Sequence, residues 1–274
     1  MKKRIILLSI LLTTKLLSFS QNNGISGARS YGLAGNSILL QDLWSTNNNP
    51  AGLAFQKEWA AGIPYENQFL QSELSNKTAI IGYPISNGAF GLSINQFGYS
   101  AYNENRVGLS YGQQLGKNIS MGIQINYLNT RIGEAYGTSS AISGNIGLMA
   151  KLNDELSIAA MLINPNKAKL ADYTDERYPT LIKLGLGYEF SDKVTLMSEV
   201  AKDIDFDANV KVGIEYKAMK LIHFRIGYAT EPALSSFGFG INLDQFKLDF
   251  ASGFDSTFGF SPQISLHYSP SQKQ

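Results

Sequence analysis

Ile119-Ser120-Met121-Gly122-Ile123-Gln124-Ile125-Asn126-Tyr127 sets an apolar side chain at every odd position and a small or polar one at every even position. Successive side chains of an extended chain point to opposite sides, so this order makes a strand with one apolar and one polar face. The pattern recurs. Val210, Val212, Ile214 and Tyr216 alternate with Lys211, Gly213 and Glu215. Ile222, Phe224, Ile226 and Tyr228 alternate with His223, Arg225 and Gly227. Working outward from these stretches, the alternation predicts strands near 58–66, 77–86, 88–98, 106–115, 118–129, 140–152 and 155–164. Further strands are expected near 180–190, 193–202, 208–217, 220–229, 235–243, 245–254 and 258–268. That makes about fourteen, and no helix of useful length is expected between them.

The connections point to the same architecture. Asn87-Gly88, Gly116-Lys117, Asn153-Asp154, Ser191-Asp192, Ala218-Met219 and Asp244-Gln245 mark tight turns. Longer links are expected at 67–76, 99–105, 130–139, 165–179, 203–207, 230–234 and 255–257. Short and long links alternate in transmembrane barrels, whose periplasmic turns are short and external loops longer. A soluble sandwich also alternates its strand faces. Most of these strands, however, have the roughly 9–11 residues that a tilted strand needs to cross a bilayer. Aromatics at strand ends (Tyr127, Tyr188, Phe190, Tyr216, Tyr228, Tyr268) suit interfacial girdles. The expected fold is therefore all-β, a transmembrane antiparallel barrel with apolar stripes toward lipid. Lys183, Glu189, Lys211, Glu215, His223 and Arg225 are expected to face the lumen, with Glu199, Lys247 and Asp249.

The N-terminus supplies a route to a membrane. Met1-Lys2-Lys3-Arg4 is basic, Ile5 to Leu12 is apolar, and Ser18-Phe19-Ser20 is a small-residue site, so residues 1–20 read as a signal peptide. The chain has 26 Gly, 15 Phe and 14 Tyr, with no Cys and a formal charge of +1. No disulfide framework or thiolate metal site is possible, and the charge gives no nucleic-acid footprint.

Gly27-Ala28-Arg29-Ser30-Tyr31-Gly32-Leu33-Ala34-Gly35-Asn36, then Asp42 and Asn49-Pro50-Ala51-Gly52-Leu53-Ala54, resembles the N-terminal segment of FadL-like outer-membrane proteins. With Asn164-Pro165, Arg177-Tyr178-Pro179-Thr180 and Leu184-Gly185-Leu186-Gly187-Tyr188 it looks most like the PorV/PorQ branch of Bacteroidetes. The resemblance implies a fourteen-stranded barrel in a Gram-negative outer membrane, its N-terminal segment folded into the lumen as a plug. The division becomes a leader at 1–20, a plug or hatch at 21–56, a barrel at 57–268 and a periplasmic tail at 269–274. Arg29, Asn49, Pro50 and Gly52 are the residues of the plug motif. Arg29 is the one side-chain cation of residues 21–56, expected either to pair with a wall carboxylate or to stand solvated.

No nucleophile elbow, paired-His metal motif or phosphate loop is present, and Asp203-Ile204-Asp205-Phe206-Asp207 lacks the glycine and distal Glu of a calcium loop. No catalytic residue, metal or cofactor is expected. The PorV/PorQ likeness and the polar 165–179 link favour an accessory subunit of an outer-membrane secretion or assembly machine. Its partners would be outer-membrane lipid and other outer-membrane or periplasmic proteins. The alternative is a FadL-like transporter or channel for small hydrophobic solutes.

Overall fold

The computed structural model describes residues 26–133, 137–170, 177–204 and 206–270. The expected leader and most of the expected tail lie outside these residues. The alternating stretches pair side by side as fourteen antiparallel strands closed into a barrel. They are β1 (Ala60–Asn67), β2 (Ser75–Ile85), β3 (Gly88–Gly98), β4 (Tyr102–Gln114), β5 (Ile119–Ile132), β6 (Thr138–Lys151) and β7 (Leu156–Ile163). Then follow β8 (Leu181–Ser191), β9 (Val194–Asp203), β10 (Asn209–Lys217), β11 (Ile222–Thr230), β12 (Ala233–Leu243), β13 (Phe246–Asp255) and β14 (Gly259–Tyr268). Each strand pairs with its neighbours in sequence, and β1 closes the ring on β14 with Ala61 opposite Tyr268 and Glu66 opposite Gln263. Closure leaves no row of unpaired backbone groups at an edge.

The faces follow the period of two. In β5, Ile123 is 46% exposed while its neighbour Gln124 is 2% exposed. The same inversion runs round the ring: large apolar side chains lie outside and polar ones within. Aromatic contacts gather at both ends of the wall. Trp59–Tyr268 (5.4 Å) and Phe246–Tyr268 (5.1 Å) lie at one end, with Phe254–Phe260 (5.0 Å) and Phe69–Phe258 (4.8 Å) at the other. Among the described residues no helix is long and apolar enough to cross a membrane.

Three departures from the sequence reading have local causes. Strand β4 starts four residues before the expected 106, because Asn103, Glu104 and Asn105 break the apolar alternation yet still pair with β5 through Arg131, Thr130 and Asn129. Strand β7 stops short at Ile163, so it pairs only with Asn145–Lys151 of β6. There the Asn166 side chain takes over, donating to Ile142 O at 2.7 Å and accepting from Gly144 N at 3.1 Å. Finally, the expected long link at 230–234 is a two-residue connection, Glu231-Pro232, between β11 and β12. The asymmetry between the two ends therefore rests mainly on the link from Asn164 to Thr180.

The apolar core belongs largely to the segment before β1. Leu33, Ile38, Leu43, Trp44 and Leu53 are fully buried. Their partners include Met149, Met161, Met197 and Ala159 of the wall. The segment contains two single helical turns, α1 (Ala28–Tyr31) and α2 (Ser45–Asn48), then a 3-10 turn at Pro50–Phe55.

Candidate functional site

Residues 26–55 are mostly buried and hydrogen-bond to strands on opposite sides of the ring. Ala28 N donates to Ser265 Oγ of β14 at 3.1 Å, and Ala34 N donates to Ser236 Oγ of β12 at 2.7 Å. On the opposite side, Thr46 O accepts from Ser110 Oγ of β4 (2.7 Å) and Gln124 Nε2 of β5 (2.8 Å). Asn47 Oδ1 accepts from Ser93 Oγ of β3 at 2.7 Å.

Small residues on the wall make this approach possible. A Cβ at Gly122 would overlap the Pro50 carbonyl carbon, and one at Gly227 would overlap the Leu33 carbonyl carbon. Gly122→Ala is therefore expected to cost about 1–3 kcal/mol through overpacking. Gly116→Ala, whose Cβ meets nothing within 4 Å, serves as control. Urea midpoints of the refolded barrels measure the difference; equal midpoints would mean that the segment yields without cost.

Two ion-pair groups join the segment to the wall. Arg29 reaches Glu215 of β10 with its Nε (2.9 Å) and Nη2 (2.7 Å), and Asp42 with its Nη1 (3.0 Å). The same Glu215 accepts from Arg225 Nε at 2.7 Å, and Arg225 Nη1 meets Asp249 at 2.6 Å. Burial by itself would lower the pKa of Arg29, but Glu215 and Asp42 outweigh it and hold the guanidinium charged. In the second group Glu199 sits between Lys211 (3.0 Å) and Lys183 (3.6 Å) and also accepts from Ser37 N at 2.9 Å. Lys211 Nζ adds a bond to Gly35 O at 3.1 Å. The first group carries an extra carboxylate and the second an extra cation, so their charges balance.

Asn49, Pro50 and Gly52 shape the segment locally. Asn49 caps the 3-10 turn by accepting from Ala51 N (3.1 Å), while its Nδ2 donates to Ile38 O (2.8 Å). Pro50 occupies the first position of that turn, where no N–H is needed. Gly52 lies so close to Ser45 Oγ and Leu40 O that a Cβ would meet them at 2.5 and 2.6 Å. Lys183, Lys211, Glu215 and Arg225 are buried together on the inner wall. His223 is only half-buried, 3.4 Å from Asn242 Nδ2.

Glu189 is exposed near the end of β8, where it still pairs in register with Thr195. Lys247 is exposed as well. The sequence reading missed Trp44, which covers Gly62 and meets His267 edge-on at 6.1 Å. Its one signal was a lone large aromatic within a stretch of small and amide residues. Among the described residues no group of three His, Asp or Glu could hold a metal ion.

No family model matches the sequence, and no curated protein matches it. Solved structures do share its fold. The toluene transporter TbuX of Ralstonia pickettii superposes with a TM-score of 0.66 at 14% identity, covering 90% of this chain and 98% of that one. The toluene transporter TodX of P. putida gives 0.65 at 13% identity, covering 92% and 100%. A FadL homologue of Pseudomonas aeruginosa gives 0.63 at 14% identity, covering 89% and 98%. These neighbours are described as toluene transporters and a FadL homologue, and none of the three as a subunit of a secretion or assembly machine. The expectation of an accessory subunit is corrected accordingly. The fold is that of the FadL-like barrels.

Proposed function

We propose that the protein is a FadL-like transporter or channel for small hydrophobic solutes. In this reading it is exported by the leader at 1–20 and seated in the outer membrane with lipid against its apolar face. The observation that carries the reading is a fourteen-stranded barrel that aligns with toluene transporters over nine-tenths of its length. The band of exposed Ile, Leu, Val and Phe supports the membrane setting, since water would not tolerate so large an apolar surface. In the same reading residues 21–56 are a plug, and the Arg29–Glu215 and Ser37–Glu199 contacts are the latches holding it against the wall. The PorV/PorQ likeness rests on the N-terminal motif, the Asn164-Pro165 turn and stretches within 177–188, and carries no function here.

Toluene uptake tests the proposal. Outer-membrane expression of the intact protein should raise the rate of labelled toluene entry above that of host cells with an empty vector. A rate equal to the empty vector, with folded barrel present in the membrane, would contradict it.

A further inference from the structure

Outward residues of neighbouring strands line up in rows, and the registers of β6 to β9 give three of them. Nearest the short turns run Ala150, Ile158, Leu186 and Ser198; next come Leu148, Ala160, Leu184 and Val200. The third row is Ile146, Leu162, Ile182 and Lys202. Ala150, Ala160 and Ser198 are short beside the Leu and Ile that flank them. The first two rows consequently enclose an apolar groove of about 570 Å³ on the outer face of the wall. That volume is within the roughly 300–1,000 Å³ of small-molecule sites. Lys202 stands exposed one row above Val200, toward the end that carries the Asn164–Thr180 link.

Charge on this outer face is one-sided. Among the described residues, the outward positions of the fourteen strands carry three charged side chains: Lys77 of β2, Arg131 of β5 and Lys202 of β9. All are cations, and all stand near the strand ends on the side of the Asn164–Thr180 link. Glu66, Asp203 and Asp255, strand acids at the same end, are buried toward the interior. Lys202 Nζ donates to Phe206 O in the following loop, which also holds the exposed Asp207. An ammonium has three N–H groups, so that bond leaves two to offer.

We propose that the β6–β9 groove seats an acyl chain of a membrane lipid whose phosphate head group meets Lys202. The inference rests on the membrane setting of the transport reading and is independent of transport itself. The groove offers hydrocarbon nothing but apolar side chains and one hydroxyl, and its upper end opens beside the ammonium. A phosphate there accepts charge-assisted hydrogen bonds, whereas a head group that carries its own cation repels Lys202 in part.

Native mass spectrometry of the full chain, given equal amounts of dioleoyl phosphatidic acid and dioleoyl phosphatidylcholine, compares two heads on identical tails. The unaltered protein should retain phosphatidic acid preferentially. Lys202→Gln should reduce that preference about fivefold, the worth of one interfacial cation. Lys193→Gln, exposed at the other end of β9, should leave it unchanged. Ala160→Phe, which fills the groove, should lower retention of both lipids. Equal retention of the two lipids by the unaltered protein would overturn the proposal. So would an unchanged preference in folded Lys202→Gln, or an equal fall in Lys193→Gln. Toluene uptake, read separately in cells, decides the transport reading whichever lipid is retained.

Discussion

Glu215→Gln should lower the unfolding free energy of the reconstituted barrel by about 3–5 kcal/mol, the cost of removing one partner from a buried ion pair. Glu215 is 1% exposed and accepts from two guanidinium groups, Arg29 of the segment and Arg225 of the adjacent strand. Glutamine keeps the shape but loses the charge, leaving both arginines enclosed with only Asp42 and Asp249 to balance them. Glu189→Gln, at an exposed position, should change stability by no more than about 0.5 kcal/mol. Urea titration of both variants in lipid vesicles gives the comparison. A Glu215→Gln barrel as stable as Glu189→Gln would mean that the arginines are relieved by water and that the latch has no strength.

One residue away, Ile214→Arg tests the opposite face. Ile214 is 39% exposed and points away from Glu215, near the middle of β10. If that face meets the hydrocarbon midplane, arginine should cost about 2–4 kcal/mol. Ile119→Arg, at the first residue of β5, should cost only about 0–1 kcal/mol, because it lies near the interface. The depth dependence separates a bilayer from any other apolar cover. Equal costs at the two positions, measured by urea titration in the same vesicles, would remove the membrane from the account. Gln124→Arg would not serve as a harmless control. Gln124 is buried against Thr46 and Asn47, so the lumen has no room for a longer side chain there.

The strand order was legible because a period of two is local: Ile119 to Tyr127 declares both faces without reference to the rest of the chain. The ring followed from strand lengths and turn residues. Link lengths were less legible, since 231–232 hides a tight connection between strands that alternate less strictly there. The segment's motif was visible, but its partners were not. Arg29 and Glu215 are 186 positions apart, and only barrel closure brings β10 to face the segment. Exposure was less legible than parity: Glu189 keeps the parity of Lys183 yet is exposed, because it stands near the end of β8. Function was misread for a different reason. A short motif pointed to one branch, whereas the path of the whole backbone is shared with transporters.

Single-channel conductance of the barrel lacking residues 26–48 tests the central claim, a transport lumen closed by its own N-terminal segment. The wall hydrogen bonds close without the segment, so the shortened protein should still fold. A fourteen-stranded ring is wider than the eight-stranded barrels that side chains alone can fill. Removing the segment should therefore raise conductance in planar bilayers by about tenfold or more over the intact protein. A folded, shortened barrel whose conductance matches the intact protein would contradict the claim.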